Sequence, residues 1–517
     1  MKKFTRTSLV LSLAFALFGC KSNSEPNSKP NIIVILADDM GYSDLGCMGS
    51  EISTPNLDQL ASRGSLFTEM HNTAKCYPTR ASLLSGKYFQ QTNRDFDNTV
   101  LISEILKENG YNTFWSGKHH ATFDPRTRGG DRFYGFLGGA INYINPGDAP
   151  APNGKMPALI GTYTWILDEE GSRKPFIPDD PNYYSTDAFT DKAIKWIDES
   201  KNDEHPFFMY VAFNAPHWPL QAKKEDIIKY KVFYKEGYEA VRNARYKKQL
   251  ELEILDSESS PLSSSDYLKP WEELSAKEKQ IETQRMQVYA AMIDNLDQNV
   301  GRIITKLEDE KELDNTIIFF LSDNGACAEN PDKRVIYPNG KRGPIGEVDS
   351  YESIRKSWGN VANTPLRYYK TDSYAGGIRT PMIVFCGKNI ESKSQISSQR
   401  IHLIDLLPTI LSLTKSSSDK YADYIAEAPG IDFSPSLNGV KIDRNGPLFF
   451  QFNKGKAIIE DGWKLVSKGK GEWELYDLEN DKTETTNLSE SEADKFKELK
   501  TKWETWFAEY EYSQNKR

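Results

Sequence analysis

The 517-residue sequence predicts an α/β fold: a large mixed, mostly parallel sheet flanked by helices, then a small antiparallel sheet with one helix. Three observations predict it. Short apolar runs rich in β-branched residues end in polar residues, the pattern of strands buried on both faces. Helical stretches alternate with those runs, as crossovers between parallel strands require. Near Gly430 the pattern changes to short strands separated by Gly, Asp and Lys turns.

The first element in the chain precedes the fold. Lys2, Lys3 and Arg6 lead into a twelve-residue, largely apolar run from Ser8 to Gly19. A membrane-spanning helix needs about 20 residues, so 1–19 reads as a secretory signal. Leu17-Phe18-Gly19-Cys20 looks like a bacterial lipobox, in which the cysteine is lipidated and becomes the new N-terminus. Residues 20–30, rich in Ser, Asn and Pro, suit a flexible tether. The expectation is an exported bacterial lipoprotein, held to a membrane by its lipid anchor only, in the periplasm, on the outer membrane or at the cell surface.

Beyond the tether, Asn31 to Ala37 is the first strand and ends in Asp38-Asp39. Leu57 to Arg63 has helical spacing, and Pro206 to Phe213 is a strand running into Asn214-Ala215-Pro216-His217. Residues 223–285 are dense in charge and read as a long helical insertion, a solvated surface element in preference to a lid. Gln287 to Glu310 is a helix, and Thr316 to Leu321 a strand ending in Ser322-Asp323-Asn324-Gly325. Polar residues at the carboxyl ends of strands place a site along that edge. The closing strands are Leu448 to Phe452, Ala457 to Glu460, Trp463 to Ser467 and Trp473 to Leu478. Ser489 and Glu492 are spaced as a capping box, and Phe496, Leu499, Trp503 and Trp506 then recur at helical spacing.

Composition removes some functions. With 65 basic and 74 acidic residues there is no cationic excess to grip a polyanion, so no nucleic-acid partner is expected. Five cysteines in this length exclude a disulfide scaffold. Asp38-Asp39 repel one another unless a proton or cation intervenes. With Asp323 and Asn324 they form an oxygen donor set that suits Ca²⁺ or Mg²⁺ better than Zn²⁺. Turn and helix-cap chemistry is the plainer explanation of such pairs.

Cys76-Tyr77-Pro78-Thr79-Arg80, leading into Ala81 to Gly86, resembles the Cys-x-Pro-x-Arg signature of the type I sulfatases of the alkaline phosphatase superfamily. Gly117-Lys118-His119-His120, Asn214-Ala215-Pro216-His217, Ser322-Asp323-Asn324-Gly325 and Asn363 to Lys370 match further motifs of that family in order. The usual tryptophan between Lys118 and His120 is His119 here, and Ala375 replaces the Glu or Gln that often precedes the Gly376-Gly377 pair. The resemblance covers Asn31 to about Leu488.

It implies an alkaline phosphatase-like sandwich, with 31–430 as catalytic domain and 431–517 as an α+β subdomain. Cys76 would be oxidised to Cα-formylglycine (3-oxoalanine) by a formylglycine-generating maturation enzyme. Asp38, Asp39, Asp323, Asn324 and the oxidised Cys76 would hold one Ca²⁺, with Mg²⁺ as the alternative. Arg80 would steady the aldehyde hydrate, and Lys118 and Lys370 would neutralise sulfate oxygens. His217 would protonate the leaving alcohol, and His120 would take the proton when sulfate is expelled. The implied activity is hydrolysis of sulfate monoesters, most simply exo-removal of sulfate from glycan sugars. Its rivals are a formylglycine-dependent phosphodiesterase or phosphonate monoester hydrolase, and a non-catalytic glycan-binding lipoprotein. His119 reads as packed or solvated in preference to a substrate contact, and His71, His205 and His402 as structural. Cys47, Cys327 and Cys386 allow at most one disulfide, while Trp115, Tyr143 and Trp218 suit sugar stacking or packing equally.

Overall fold

The computed structural model describes residues 29–92, 96–150, 154–160, 166–167, 177–201, 203–337, 340–469 and 471–514. The leader, Cys20 and the tether up to residue 28 lie outside the described residues. In chain order the strands are β1 (Asn31–Asp38), β2 (Ser65–His71), β3 (Asn112–Lys118), β4 (Arg132–Phe136), β5 (Leu159–Ile160), β6 (Ile166–Leu167), β7 (Phe207–Pro216) and β8 (Thr316–Ser322). They continue as β9 (Val335–Ile336), β10 (Arg379–Cys386), β11 (Gln395–Ser397), β12 (Ile401–His402), β13 (Leu448–Phe452), β14 (Gly455–Glu460), β15 (Trp463–Ser467) and β16 (Trp473–Asp477). The large sheet has the order β11-β2-β10-β8-β1-β7-β3-β4-β6, with β12 beside β2. Its centre, β8-β1-β7-β3-β4, is all parallel, while β10 and β6 run against their neighbours. This is the mixed, mostly parallel sheet that the sequence predicts.

β1 is central because every residue in it is buried. Ile33, Ile35 and Ala37 face one core layer, with Met209, Val211 and Phe320. Ile32, Val34 and Leu36 face the other, with Phe208, Tyr210 and Phe319. Only a strand apolar at both parities fits there, and each such aliphatic side chain contributes roughly 1.5–3 kcal/mol. The helix Cys76–Ser85 lies on the second face, while Ser185–Ser200 and the 34-residue Ala276–Asp309 cover the first. That long helix starts well before Gln287 because Ser275 and Glu278 form a reciprocal capping box.

The 223–285 insertion departs from its sequence reading. It is not one long helix: Lys224–Lys229 and Tyr238–Glu251 are separate, and an irregular stretch with a short 3₁₀ turn at Trp271–Glu273 leads to the capped helix. Nor is it merely solvated. Tyr238, Arg242, Arg245 and Gln249 recur at helical spacing and form one buried face. Arg245 is 0% exposed and pairs with Asp44 and Glu51, each at 2.7 Å. Asp44 in turn accepts hydrogen bonds from the Gly41 N–H and the Tyr289 hydroxyl, both 2.7 Å, so the insertion braces the loop that follows β1.

β13-β14-β15-β16 form the small antiparallel sheet. The helix Ala493–Gln514 packs Leu499, Trp503 and Trp506 against Phe450, Ile458 and Leu465. It begins past Ser489, whose N–H is taken by the Asn487 side chain and not by Glu492 as the expected capping box requires. Tyr374, Ile378 and Ala74 belong to the same cluster, so this sheet rests on segments beside the site. Among the described residues, no helix is long and apolar enough to cross a membrane.

Candidate active site

Parallel strands share one carboxyl edge, and four of them deliver the site. β1 ends at Asp38 and is followed by Asp39; β8 is followed by Asp323 and Asn324; β7 is followed by His217; β3 ends on Lys118. Asp39 has φ 66°, a conformation a non-glycine residue adopts only when its surroundings impose it. Its N–H donates to Asp323 Oδ1 at 3.1 Å, tying β1 to β8. His120 (φ 60°) and the β-branched Thr371 (φ 78°), next to Lys370, are constrained in the same way.

Cys76 opens the helix Cys76–Ser85, and Arg80 lies one turn on, so both point from one face. Pro78 sits in the first turn, where its missing N–H costs nothing. Gly86 closes the helix at φ 70°, where a Cβ would meet Leu407 at 2.5 Å.

The charged groups interlock. Lys118 Nζ donates to Asp38 Oδ2 at 2.5 Å, and Lys370 Nζ to Asp39 Oδ2 at 2.8 Å. Arg80 reaches Asp323 Oδ2 at 2.9 Å and the Lys118 carbonyl at 2.7 Å. Asn324 Nδ2 donates to Asp39 Oδ1 at 2.7 Å, and Cys76 Sγ stands 3.8 Å from that same oxygen. His217 Nδ1 donates to the Trp218 carbonyl at 2.6 Å, which leaves Nε2 3.5 Å from Asp39 Oδ2. Asp38, Asp39, Cys76, Arg80, Lys118, Asp323, Asn324 and Lys370 are all at most 2% exposed.

Burial sets the proton affinities and the neighbours correct them. Asp38 is pushed up to about 8 by burial, against Lys118, with Asp323 and Asp39 adding to the rise. Asp39 is held below the usual range although burial opposes it, because Lys370 and Lys118 face it. The Cys76 thiol is pushed up to about 12, again by burial, despite both lysines. Burial, then Lys370 and Lys118, hold the His217 imidazole well below its ordinary value. Lys370 stays well above its own, burial being outweighed by Asp39.

The donor chemistry fits a hard cation. Asp38 Oδ1 and Asn324 Oδ1 are buried without a hydrogen-bond partner, one oxygen from each of two strand ends. Asp38, Asp39, Cys76 and His217 present ligand atoms within 4.8 Å of one another. Asp323 is more committed, since Oδ1 takes the Asp39 N–H and Oδ2 takes Arg80.

Other residues singled out in the sequence fall into place around this cluster. The His120 ring lies edge-on to Tyr77, 5.7 Å away, next to Cys76 in the chain. His119 is packed: Phe96, Trp115, Phe123 and Phe133 surround it, and burial, then Arg80, lowers its pKa to about 3. Trp115 belongs to the core. Tyr143 is buried and packed, donating to the His217 carbonyl at 2.8 Å. His71 and His402 are buried, with Nδ1 engaged by backbone, and His205 is exposed on Asp203. Cys47, Cys76, Cys327 and Cys386 are all free thiols. Where Ala375 brings no carboxylate of its own before the two glycines, one comes from far along the chain: the Ala375 N–H donates to Glu484 Oε2 at 2.9 Å, and Lys464 pairs with Glu484. Sequence reasoning left Tyr143 open between sugar stacking and packing, and missed Glu484 and the Lys75–Glu329 ion pair (2.5 Å), which no motif marks.

Clefts of about 390 and 490 Å³ lie elsewhere, and no residue of the cluster lines either. Against Asp39 there is a void of only about 10 Å³, bordered by Trp218, Tyr289 and Cys327.

A family model described as Sulfatase matches residues 30–416. An uncharacterized sulfatase of Schizosaccharomyces pombe is 34% identical, over 93% of this chain and 94% of its own. An arylsulfatase of Klebsiella aerogenes is 33% identical over 75% of this chain and 87% of its own. Among solved structures, that of Ps i-CgsB in complex with k-i-k-neocarrahexaose matches with a TM-score of 0.64 at 27% identity, covering 92% of each chain.

Proposed function

Because the chain belongs to the sulfatase family, and is thus a hydrolase of sulfate esters, we propose that it removes sulfate from terminal sugars of glycans through a Cα-formylglycine hydrate at Cys76. The observation that carries this is the placing of Cys76 3.8 Å from Asp39, among Lys118, Lys370, Arg80 and His217 in one buried cluster. The saccharide complex of Ps i-CgsB supports a sugar as the alcohol.

A thiol pushed up to about 12 stays protonated at neutral pH and is a poor nucleophile. An aldehyde hydrate at the same carbon carries two hydroxyls instead. One oxygen attacks sulfur while the bond from sulfur to the sugar oxygen breaks, and His217 gives that oxygen a proton. The other hydroxyl then loses its proton to His120, the C=O bond re-forms, and sulfate leaves. Water rehydrates the aldehyde. Arg80 holds the hydrate, and Lys118 and Lys370 meet the charge on the sulfate oxygens. Bound sulfate also offsets the two ammonium groups that, after burial, lower the proton affinity of His217. Asp38, Asp39, Asp323 and Asn324, with the oxidised Cys76, would hold one Ca²⁺ or Mg²⁺, whose charge offsets the sulfate and favours the ionised hydroxyl.

Initial rates on a sulfate monoester and a phosphodiester of one phenol test the reading. Faster release from the phosphodiester would assign the site to the rival hydrolase. Chelation should abolish activity and lower the melting temperature, since the buried carboxylates lose their counter-charge. Ca²⁺ or Mg²⁺ should restore both; recovery with Zn²⁺ alone would reject the oxygen-donor site. The lipid anchor is part of the same proposal: Cys20→Ala should shift the protein from the membrane fraction to the soluble one, and unchanged fractionation would argue against anchoring.

A further inference from the structure

Beside the catalytic cluster stands a second, partly exposed set of polar groups. Lys75, which immediately precedes Cys76, pairs with Glu329 from the chain that follows β8. Their side chains are 19% and 25% exposed, unlike the sealed groups beneath. Glu329 Oε2 also accepts from Arg334 at 3.1 Å, and the Glu329 carbonyl accepts from Ser353 Oγ at 2.5 Å, which fixes the loop. Arg334 lies over the ring of Trp218, 5.2 Å from its centre, and that indole stands 4.4 Å from the His217 ring. The indole N–H is buried and has no hydrogen-bond partner.

These groups border the two residues between which the ester must lie, the nucleophile and the proton donor to the alcohol. In the mechanism above sulfate would lie against Lys118 and Lys370, and the alcohol would face His217, whose ring adjoins Trp218 on this rim, with Glu329 facing Lys370 from the same side. We propose that Glu329, with Lys75, Arg334 and Trp218, is the subsite for the alcohol half of the ester and selects an uncharged, hydroxylated ring, a pyranoside, over an aryl group or a second anion. The inference rests on the sulfatase reading given above. A carboxylate held between two cations offers acceptor lone pairs to vicinal hydroxyls, which an aryl ring lacks. The rim cations are already paired, so a second sulfate or carboxylate would confront Glu329 directly. Arg334 covers the indole, so recognition runs through polar contacts and not through bare stacking.

Glu329→Gln keeps the shape and removes the charge. The probes are a panel of mono-O-sulfated pyranosides, their disulfated counterparts and 4-nitrophenyl sulfate. On the best pyranoside of the panel, kcat/KM should fall about tenfold or more relative to its change on 4-nitrophenyl sulfate, because only the sugar loses its acceptor. Arg334→Ala, at a side chain 56% exposed and therefore tolerant of change, should act in the same direction. Equal losses on both substrates would make Glu329 a structural residue and overturn the proposal. So would wild-type preference for disulfated sugars, or wild-type activity on the aryl sulfate with none on any pyranoside. Failure of the wild type on every sulfate ester would instead overturn the sulfatase reading itself.

Discussion

Cys76→Ser is expected to stall after at most one turnover. The substitution is nearly isosteric at a position 1% exposed, so the fold and the Arg80, Lys118 and Lys370 contacts should survive it. Where the serine remains unmodified, its hydroxyl has the same neighbours and can attack sulfur once. It has no second hydroxyl on its carbon, so nothing drives sulfate out, and the enzyme remains esterified. Steady-state turnover should fall by roughly 10³-fold or more, as loss of a nucleophile's function does. Intact-mass measurement after exposure to substrate should show one added sulfuryl group. The wild type should show an aldehyde or its hydrate at position 76 before substrate is added. An active wild type with an unmodified thiol there would remove the basis of the mechanism.

The second large effect separates two substrates. His217→Ala should cost a sugar sulfate roughly 10²–10⁴-fold in kcat, the usual worth of a general acid when the leaving group is poor. An aryl sulfate leaves as a phenolate that hardly needs a proton, so its loss should be far smaller. The structure supports an assignment of this kind. Tyr143 pins the His217 carbonyl, and the Trp218 carbonyl takes Nδ1, so the ring is aimed with Nε2 towards the cluster. Equal damage to both substrates would mean that His217 works by holding Asp39, 3.5 Å away, and not by donating a proton.

Much of this was legible in the sequence, for a physical reason. Parallel strands must be apolar at both parities, so Asn31–Asp38 and Thr316–Ser322 announce themselves and their last residues land on a shared edge. Cys76 and Arg80 are four apart, so a helix alone aligns them. What stayed hidden depends on contacts between distant segments. Arg245 looked like a solvated charge because its partners, Asp44 and Glu51, lie about two hundred positions earlier. Glu484 accepts the Ala375 N–H hydrogen bond from a subdomain that sequence patterns read only as strands and a helix. Glu329 sits in an irregular loop with no periodicity to betray it.

The seal over Cys76 has a kinetic corollary. In the finished fold this residue, 1% exposed, is in the first turn of a helix whose Thr79 and Arg80 are 0% exposed, so its side chain offers another protein almost no surface. Any enzyme that oxidises it must do so while the segment is still an open chain. On the proposed formylglycine mechanism, each molecule would then have a single opportunity, and one that folds early would be locked as an inert thiol. The active fraction of a preparation would then be the outcome of a race between two rates, not an equilibrium. Overproducing the chain beyond its maturation capacity should yield a mixture of fully active and wholly inactive molecules with the same fold, and longer incubation after folding should not change their proportion.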